Sequence, residues 1–169
     1  VAVLVLFPYP GRLARHVDRW RNPNVLIEPE SPEIEAMKEE IAPEMREVAP
    51  GPEALARVQR FVLSKVPYAY DWETRGMADY IPSVAEVMAQ GREDCDGQAV
   101  VAASLLASLG YRSELVTDFT HVWVKTDEGE TMGPREVKTI VVTPEGLQWQ
   151  PGALLEVPRA LATGVALFP

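Results

Sequence analysis

Apolar residues recur at helical spacing in the first two thirds of the chain, and alternate with polar residues after that. Segment 33–48 is the first helical pattern, with apolar side chains three or four residues apart. These side chains are Ile34, Met37, Ile41 and Met45. Ser31 is a suitable N-cap and Pro32 suits the first helical turn. The pattern predicts an amphipathic helix, which Pro43 is expected to kink or divide.

Two further helices are predicted before residue 91. Residues 53–66 repeat the amphipathic pattern, and Ser83 can cap a short helix that stops at Gly91. The intervening segment "PYAYDWETRGMADYIP", residues 67–82, has no periodicity and is predicted to be an aromatic-rich loop.

Residues 95–109 carry the clearest helix pattern, because small and apolar residues form a stripe and Gly110 provides a stop. Small residues on a stripe indicate close packing against a neighbouring layer. After this helix the segments "RSELVTDF", "THVWVKT", "EVKTIVVT" and "LQWQ" are rich in strand-forming residues, with turns at "DEGE" and "TPEG". We therefore expect an α+β domain with helices first and an antiparallel sheet second.

Chain length and charge limit the classes of function. At 169 residues the chain can form one ordinary domain, expected over 31–156, with a connecting segment at 1–30 and a tail at 157–169. The net charge of −9 provides no basic surface for phosphates, so a nucleic-acid partner is not expected. The sequence has no phosphate-loop or dinucleotide glycine motif and no zinc-ligand spacing. We therefore predict no cofactor and no metal.

The first seven residues, "VAVLVLF", are strongly apolar and precede four arginines between Arg12 and Arg21. One interpretation is a first buried strand. The other is the remnant of a membrane anchor, because a full span needs about 20 residues and basic residues follow spans at the membrane surface. Membrane association through this segment and a cytoplasmic location both stay open. His16, among these arginines, is expected at the surface.

Cys95 is the only cysteine and lies in "EDCDG", at the start of the predicted helix. A thiolate, the nucleophilic form, is favoured by the positive end of a helix and by a neighbouring histidine. Asp94 and Asp96 oppose ionisation by repulsion unless they cap the helix or point away.

His121 in "THVWVKT" is the candidate base. A hairpin turn at Glu128–Gly129 would place His121 opposite Glu136, whose carboxylate could then orient the imidazole. A one-residue slip in register would move the carboxylate to the other face. Asp118, Asp127 and Glu130 are the competing acids.

Three motifs together resemble the transglutaminase-like superfamily of papain-type cysteine enzymes. They are "FVLSKVPYAYD", "GREDCDGQAVVAASLLASLGYRSELV" and "HVWV", spread over roughly residues 60–140. The resemblance implies a papain-like core with Cys95 as nucleophile and His121 as general base. The spacing in the family places the third member of the catalytic triad, an acid, at Glu136. Met132, however, stands where the family has tryptophan, and no proline follows Glu136. An alternative alignment leaves Gly133 at the acid position.

The resemblance also implies an acyl-transfer reaction on a peptide or protein substrate. We expect hydrolysis of a peptide or amide bond, because the calcium-dependent cross-linking enzymes of this superfamily are large and multidomain. Two alternatives stay open: an amine-acceptor transglutaminase, and an inactive binding module that keeps the fold.

Overall fold

A computed structural model describes residues 5–21, 25–117, 121–134, 140–143 and 146–149. Six helices have their bounds within these ranges: α1 (Pro10–Arg21), α2 (Pro32–Met45), α3 (Pro52–Lys65), α4 (Asp71–Thr74), α5 (Val84–Gln90) and α6 (Cys95–Ser108). Five strands follow: β1 (Ser113–Thr117), β2 (Val122–Thr126), β3 (Gly129–Thr131), β4 (Ile140–Thr143) and β5 (Gly146–Trp149). The predicted order of helices first and strands second is confirmed.

The strands form one antiparallel sheet in the order β3-β2-β1-β4-β5. Helix α6 contacts β1 and β2 of this sheet and also contacts α2, α3 and α5. Helix α3 contacts β3 as well as α6, so the helices pack against the sheet and around α6, and the α+β class is confirmed. No described helix combines the length and apolar character that a membrane crossing requires.

Helix α6 is the centre of the core, and it is buried on all sides from Gly97 to Leu106. Such a helix must be apolar around its whole circumference, and its sequence "GQAVVAASLL" meets that requirement. Its few polar side chains are satisfied internally: the Ser104 hydroxyl donates to the Val100 carbonyl and the Gln98 amide donates to the Val66 carbonyl. The predicted helix is confirmed, and Gly110 has the left-handed φ of 93° expected of a stop.

Local signals set the bounds of two other helices. Ser31 caps α2, and Ser83 caps α5 in a reciprocal capping box with Glu86. Pro43 was expected to kink or divide α2, and it does not divide it, because the helix continues to Met45. Pro43 lies in the last turn, where the missing N–H removes only one hydrogen bond from the helix.

The amino-terminal segment differs from its prediction. Val5 and Leu6 are helical and 72% and 51% exposed, so the buried-strand interpretation was wrong for them, and 1–4 lie outside the described residues. Arg19 of α1 donates hydrogen bonds to the Tyr80 hydroxyl and to Glu86. These contacts connect α1 to the helical layer.

His16 is not at the surface as expected, because only 8% of the residue is exposed. Its Nδ1 accepts a hydrogen bond from the Ile81 N–H. Burial lowers the pKa of this imidazole even though Asp79 lies nearby. His16 therefore belongs to the contact between α1 and the loop before α5.

We expect Gly97→Ala to destabilise the fold. A Cβ at Gly97 would overlap the Glu93 Cγ and lie 2.8 Å from the Glu93 Cβ and 3.0 Å from a Val87 methyl, and both neighbours are fully buried. The expected loss is about 1–3 kcal/mol in the free energy of unfolding, measured by urea denaturation. Gly11→Ala in α1 is the control, because its Cβ would meet nothing within 4 Å. Equal stabilities of the two variants would contradict this packing.

Candidate active site

Cys95 is the first residue of α6, and the turn before it is tightly held. The Asp94 side chain caps the helix by accepting a hydrogen bond of 3.1 Å from the Asp96 N–H. One residue earlier, Glu93 forms a parallel bridge with Tyr68, in which its N–H donates to Pro67 and its carbonyl accepts from Ala69. The bridge fixes the approach of the chain to Cys95.

The side chain of Glu93 reinforces this turn from inside the protein. Glu93 is completely buried, and one of its carboxylate oxygens accepts hydrogen bonds from Nε and a terminal nitrogen of Arg75. Gly97 lets the Glu93 side chain pass close to the first turn of α6. The ion pair therefore joins the segment after Tyr68 to the start of α6.

The thiol of Cys95 lies at the beginning of β2. Its half-buried sulfur lies near the Val122 N–H, and the thiol donates to Asp96 Oδ1 at 3.5 Å. Val122 directly follows His121, so the thiol lies near the backbone next to this histidine. No direct hydrogen bond joins the thiol and the imidazole within the part of the chain that the structure describes.

The environment of the thiol favours its neutral form. Burial is the main cause that raises the pKa of Cys95, and the carboxylates of Asp96 and Asp94 raise it further. Asp94 is a cap as expected, but it does not remove the repulsion. This direction is opposite to the expectation that the helix start and His121 ionise the thiol, because burial and the two acids favour the neutral form.

His121 precedes β2 and is held by a backbone carbonyl. Its Nε2 lies 2.9 Å from the Met132 oxygen, and its ring lies against Trp123 with centroids 6.0 Å apart. A carbonyl oxygen can only accept, so Nε2 carries the proton and Nδ1 is the basic nitrogen of the neutral ring. The contact thus fixes both the tautomer and the direction of the imidazole.

Met132 and Gly133 form the turn that presents this carbonyl. Both have left-handed backbones, with φ of 65° and 76°, and Met132 is the only non-glycine residue with positive φ in the described ranges. Gln59 of α3 steadies the turn, because its side-chain oxygen accepts from the Met132 N–H and the Thr131 hydroxyl. A strained conformation held by neighbours often marks a functional position. Neither Gln59 nor the Met132 carbonyl was found by sequence reasoning.

Glu136, the predicted third residue of the triad, lies outside the described residues, and so does Asp118. The register used to select Glu136 was wrong. The turn contains Asp127 and Glu128, since Thr126 pairs with Gly129, and the ladder ends at Thr131. The side chain of Thr126 accepts from the Glu128 N–H, which explains why the turn begins one residue earlier.

The other acids considered at the sequence level also have defined positions. Glu130 pairs with Lys125 in the β2–β3 ladder, and Asp127 is exposed in the turn. At the alternative acid position, a Cβ added to Gly133 would lie 3.1 Å from His121 Nε2. Gly133 therefore occupies the place beside the imidazole, and the Met132 carbonyl supplies the acceptor there.

An acidic cluster surrounds the turn before Cys95. Asp71, Glu93 and Asp94 each place a carboxylate oxygen within 4.8 Å of the other two, and Asp94, Cys95 and Asp96 form a second such group. Burial, together with repulsion from neighbouring acids, raises the pKa of Asp71 to about 8. Burial is also the main cause that raises the pKa of Asp94, in this case to about 7. Such groups can hold a cation or share protons. Asp71 was missed, because it lay in a segment predicted to be loop.

No protein-family model matches the chain, and no curated protein sequence matches it. The resemblance to transglutaminase-like enzymes therefore stays a prediction from three motifs. The geometry around Cys95 is the independent observation from which a function can be argued.

We expect Asp96→Asn to make Cys95 easier to ionise. Removing the adjacent negative charge lowers the thiol pKa, so alkylation by iodoacetamide at pH 8 should become about tenfold faster, equivalent to one pKa unit. In the unaltered protein the rate should still be rising with pH above about 8.5, the value of a free thiol. Asp127→Asn, in the exposed hairpin turn, is the control and should leave the rate unchanged. Rapid alkylation of the unaltered protein at pH 6 would contradict the neutral thiol.

Proposed function

We propose that the chain is a cysteine-dependent acyl-transfer enzyme of papain-like architecture that hydrolyses a peptide or amide bond. The observation that carries the proposal is the proximity of the Cys95 sulfur, at the start of α6, to the N–H of Val122, the residue after His121. A thiol at a helix start beside a histidine at a strand start is an arrangement suited to nucleophilic catalysis.

In the proposed reaction His121 acts as a general base during attack. Nδ1 takes the thiol proton as the Cys95 sulfur bonds to the carbonyl carbon of the substrate. The resulting oxyanion is stabilised by the Cys95 N–H at the start of α6, because the Asp94 cap already occupies the Asp96 N–H. The imidazolium then protonates the leaving amine and the C–N bond breaks, which leaves a thioester. Water, deprotonated by His121, hydrolyses the thioester and restores the thiol.

The timing of proton transfer follows from the raised pKa of the thiol. A preformed thiolate–imidazolium pair needs a lowered thiol pKa, whereas burial and the neighbouring aspartates raise it here. Proton transfer is therefore coupled to attack on a bound substrate. The Met132 carbonyl orients the ring during this step and accepts from its Nε2–H. This carbonyl takes the position that the acid of the triad, predicted to be Glu136, would otherwise occupy.

A second candidate function is a binding module without catalysis, and the raised pKa of Cys95 is the observation that favours it. Under this hypothesis the thiol would be a packing group and the surface near it would hold a peptide. The amine-acceptor alternative shares the acylation step and differs only in the second substrate. A comparison of amide formation with hydrolysis, using a labelled primary amine at millimolar concentration, separates the two reactions.

We expect Cys95→Ala and His121→Ala each to reduce hydrolysis of a fluorogenic peptide-amide library by about 10³-fold or more, because one residue supplies the sulfur and the other moves the proton. The melting temperature is measured in parallel to show that both variants fold. Acyl-enzyme formation, followed as a mass increase on Cys95, should be lost in both. Hydrolysis that survives Cys95→Ala would exclude this mechanism, and the absence of turnover with any substrate would favour the binding module.

Gly133→Ala should reduce activity by displacing His121. Its Cβ would lie 3.1 Å from Nε2, and a misplacement of about 1 Å can cost roughly 100-fold in rate. Gly110→Ala is a matched control, since its φ is also positive at 93° but nothing lies within 4 Å of the added Cβ. Both variants should lose about 1 kcal/mol of stability, whereas only Gly133→Ala should lose activity. Equal activities would show that the imidazole is not held at this turn.

A further inference from the structure

Three aromatic side chains form an exposed ladder between α3 and α5. Tyr68, Tyr70 and Trp72 are 56%, 42% and 52% exposed, although each is large and apolar enough to stabilise a core. The rings of Tyr70 and Trp72 are stacked with centroids 4.0 Å apart, and Tyr68 meets Tyr70 edge-on at 5.2 Å. We call these three side chains the aromatic ladder. The three rings pack against one another, and much of their surface stays exposed to solvent.

The aromatic ladder lies beside the candidate nucleophile. Tyr68 pairs with Glu93 in the parallel bridge, two residues before Cys95. Partial burial, together with the nearby Cys95, Asp94 and Asp96, raises the pKa of the Tyr68 phenol. A ligand that lies on the aromatic ladder would therefore extend from the immediate surroundings of the thiol.

Carboxyl groups lie beside the aromatic ladder, and that of Glu73 is exposed to solvent. Glu73 follows Trp72 directly and is exposed, while Asp94 and Asp96 are half-buried next to Tyr68. The nearby Arg75 contributes little positive potential, because its guanidinium is paired with the buried Glu93. Arg92 is the exposed cation adjacent to the bridge. Aromatic faces and carboxylates both attract cations, so the two properties of this surface select the same kind of ligand.

We propose that the aromatic ladder binds an arginine side chain of an extended peptide substrate, next to the bond that Cys95 attacks. A guanidinium can stack flat on the Trp72 ring and also form hydrogen bonds with a carboxylate such as that of Glu73. A lysine ammonium can use the cation–π attraction but not the flat stacking. The inference rests on the proposed function for the identity of the reaction, but the binding itself does not require catalysis.

The test measures binding to the Cys95→Ser variant, so that no turnover occurs. The probes are acetyl-Ala-Arg-Ala-amide and the same peptide with citrulline, which keeps the planar head group and removes its charge. We expect the arginine peptide to bind about fivefold more tightly, from a cation–π and carboxylate contribution of about 1 kcal/mol. Binding is followed by calorimetry and by the indole N–H resonance of Trp72, assigned with Trp72→Phe.

Three variants locate the interaction. Trp72→Leu keeps an apolar side chain but removes the ring, and should bring the ratio of arginine to citrulline affinities close to one. Trp72→Phe should keep most of that ratio. Glu73→Gln should lower the affinity for arginine alone, whereas Glu39→Gln, an exposed acid on α2, should change neither affinity. Because Trp72, Glu73 and Glu39 are all exposed, these three variants and the Glu39→Gln control should keep a melting temperature within a few degrees of the parent.

Equal affinities for the two peptides in the parent protein would overturn the proposal, as would an arginine preference that survives Trp72→Leu. Tighter binding of a proline-containing or sugar-containing probe without charge dependence would also overturn it and would identify a neutral occupant. These outcomes differ from those expected if the proposed function is wrong. If Cys95 is inert, the parent protein shows no hydrolysis, but the Cys95→Ser variant still prefers the arginine peptide.

Discussion

The buried ion pair between Glu93 and Arg75 is the constraint on which the candidate site depends. Glu93 is fully inaccessible to solvent, and isolated burial of a carboxylate costs several kcal/mol unless a partner compensates its charge. Arg75 provides that partner from the end of the aromatic segment, and Gly97 provides the space. Replacing Arg75 would leave the Glu93 carboxylate buried without its counter-charge, so this pair connects the turn before Cys95 with the end of the segment that carries the aromatic ladder.

The same arrangement explains the chemical state of the thiol. A turn that brings Asp71, Glu93, Asp94 and Asp96 close together contains one buried cation among the described residues, that of Arg75. The remaining carboxyl groups respond by holding protons more strongly, and the Cys95 thiol does the same. The helix dipole acts over only its first turn and contributes about half a charge, so it cannot balance several carboxylates.

Much of the fold was predictable, because its strongest signals are local. The small-residue helix that begins at Cys95 and the capping box at Ser83 follow from side-chain patterns along a few residues, and both are confirmed. The proximity of Cys95 to the strand after His121 was expected only through the resemblance in sequence motifs. The hairpin register failed because a threonine side chain stabilised an alternative turn, which alternation of apolar residues does not reveal.

The parts of the site that the sequence analysis did not identify were missed for one physical reason. The acceptor for His121 is the Met132 backbone carbonyl, which has no side-chain signature, and Gln59 holds it from a helix more than 70 residues away in sequence. Asp71 is buried by tertiary contacts, with its carboxylate accepting from the Tyr80 N–H, although it lies in an aromatic-rich segment without periodicity. Sequence patterns can identify which residues carry chemistry, whereas their partners depend on how distant segments pack.

The negative potential around Cys95 has opposite effects on the free protein and on a complex with a cationic ligand. Without a ligand it adds to burial in stabilising the protonated thiol. A guanidinium on the aromatic ladder would bring positive potential near the thiol, which would lower the thiol pKa at the moment when a substrate carbonyl is in place. A site built in this way would react more readily with the substrate that it recognises than with solvent electrophiles, because the charge of the ligand itself would favour ionisation of the nucleophile.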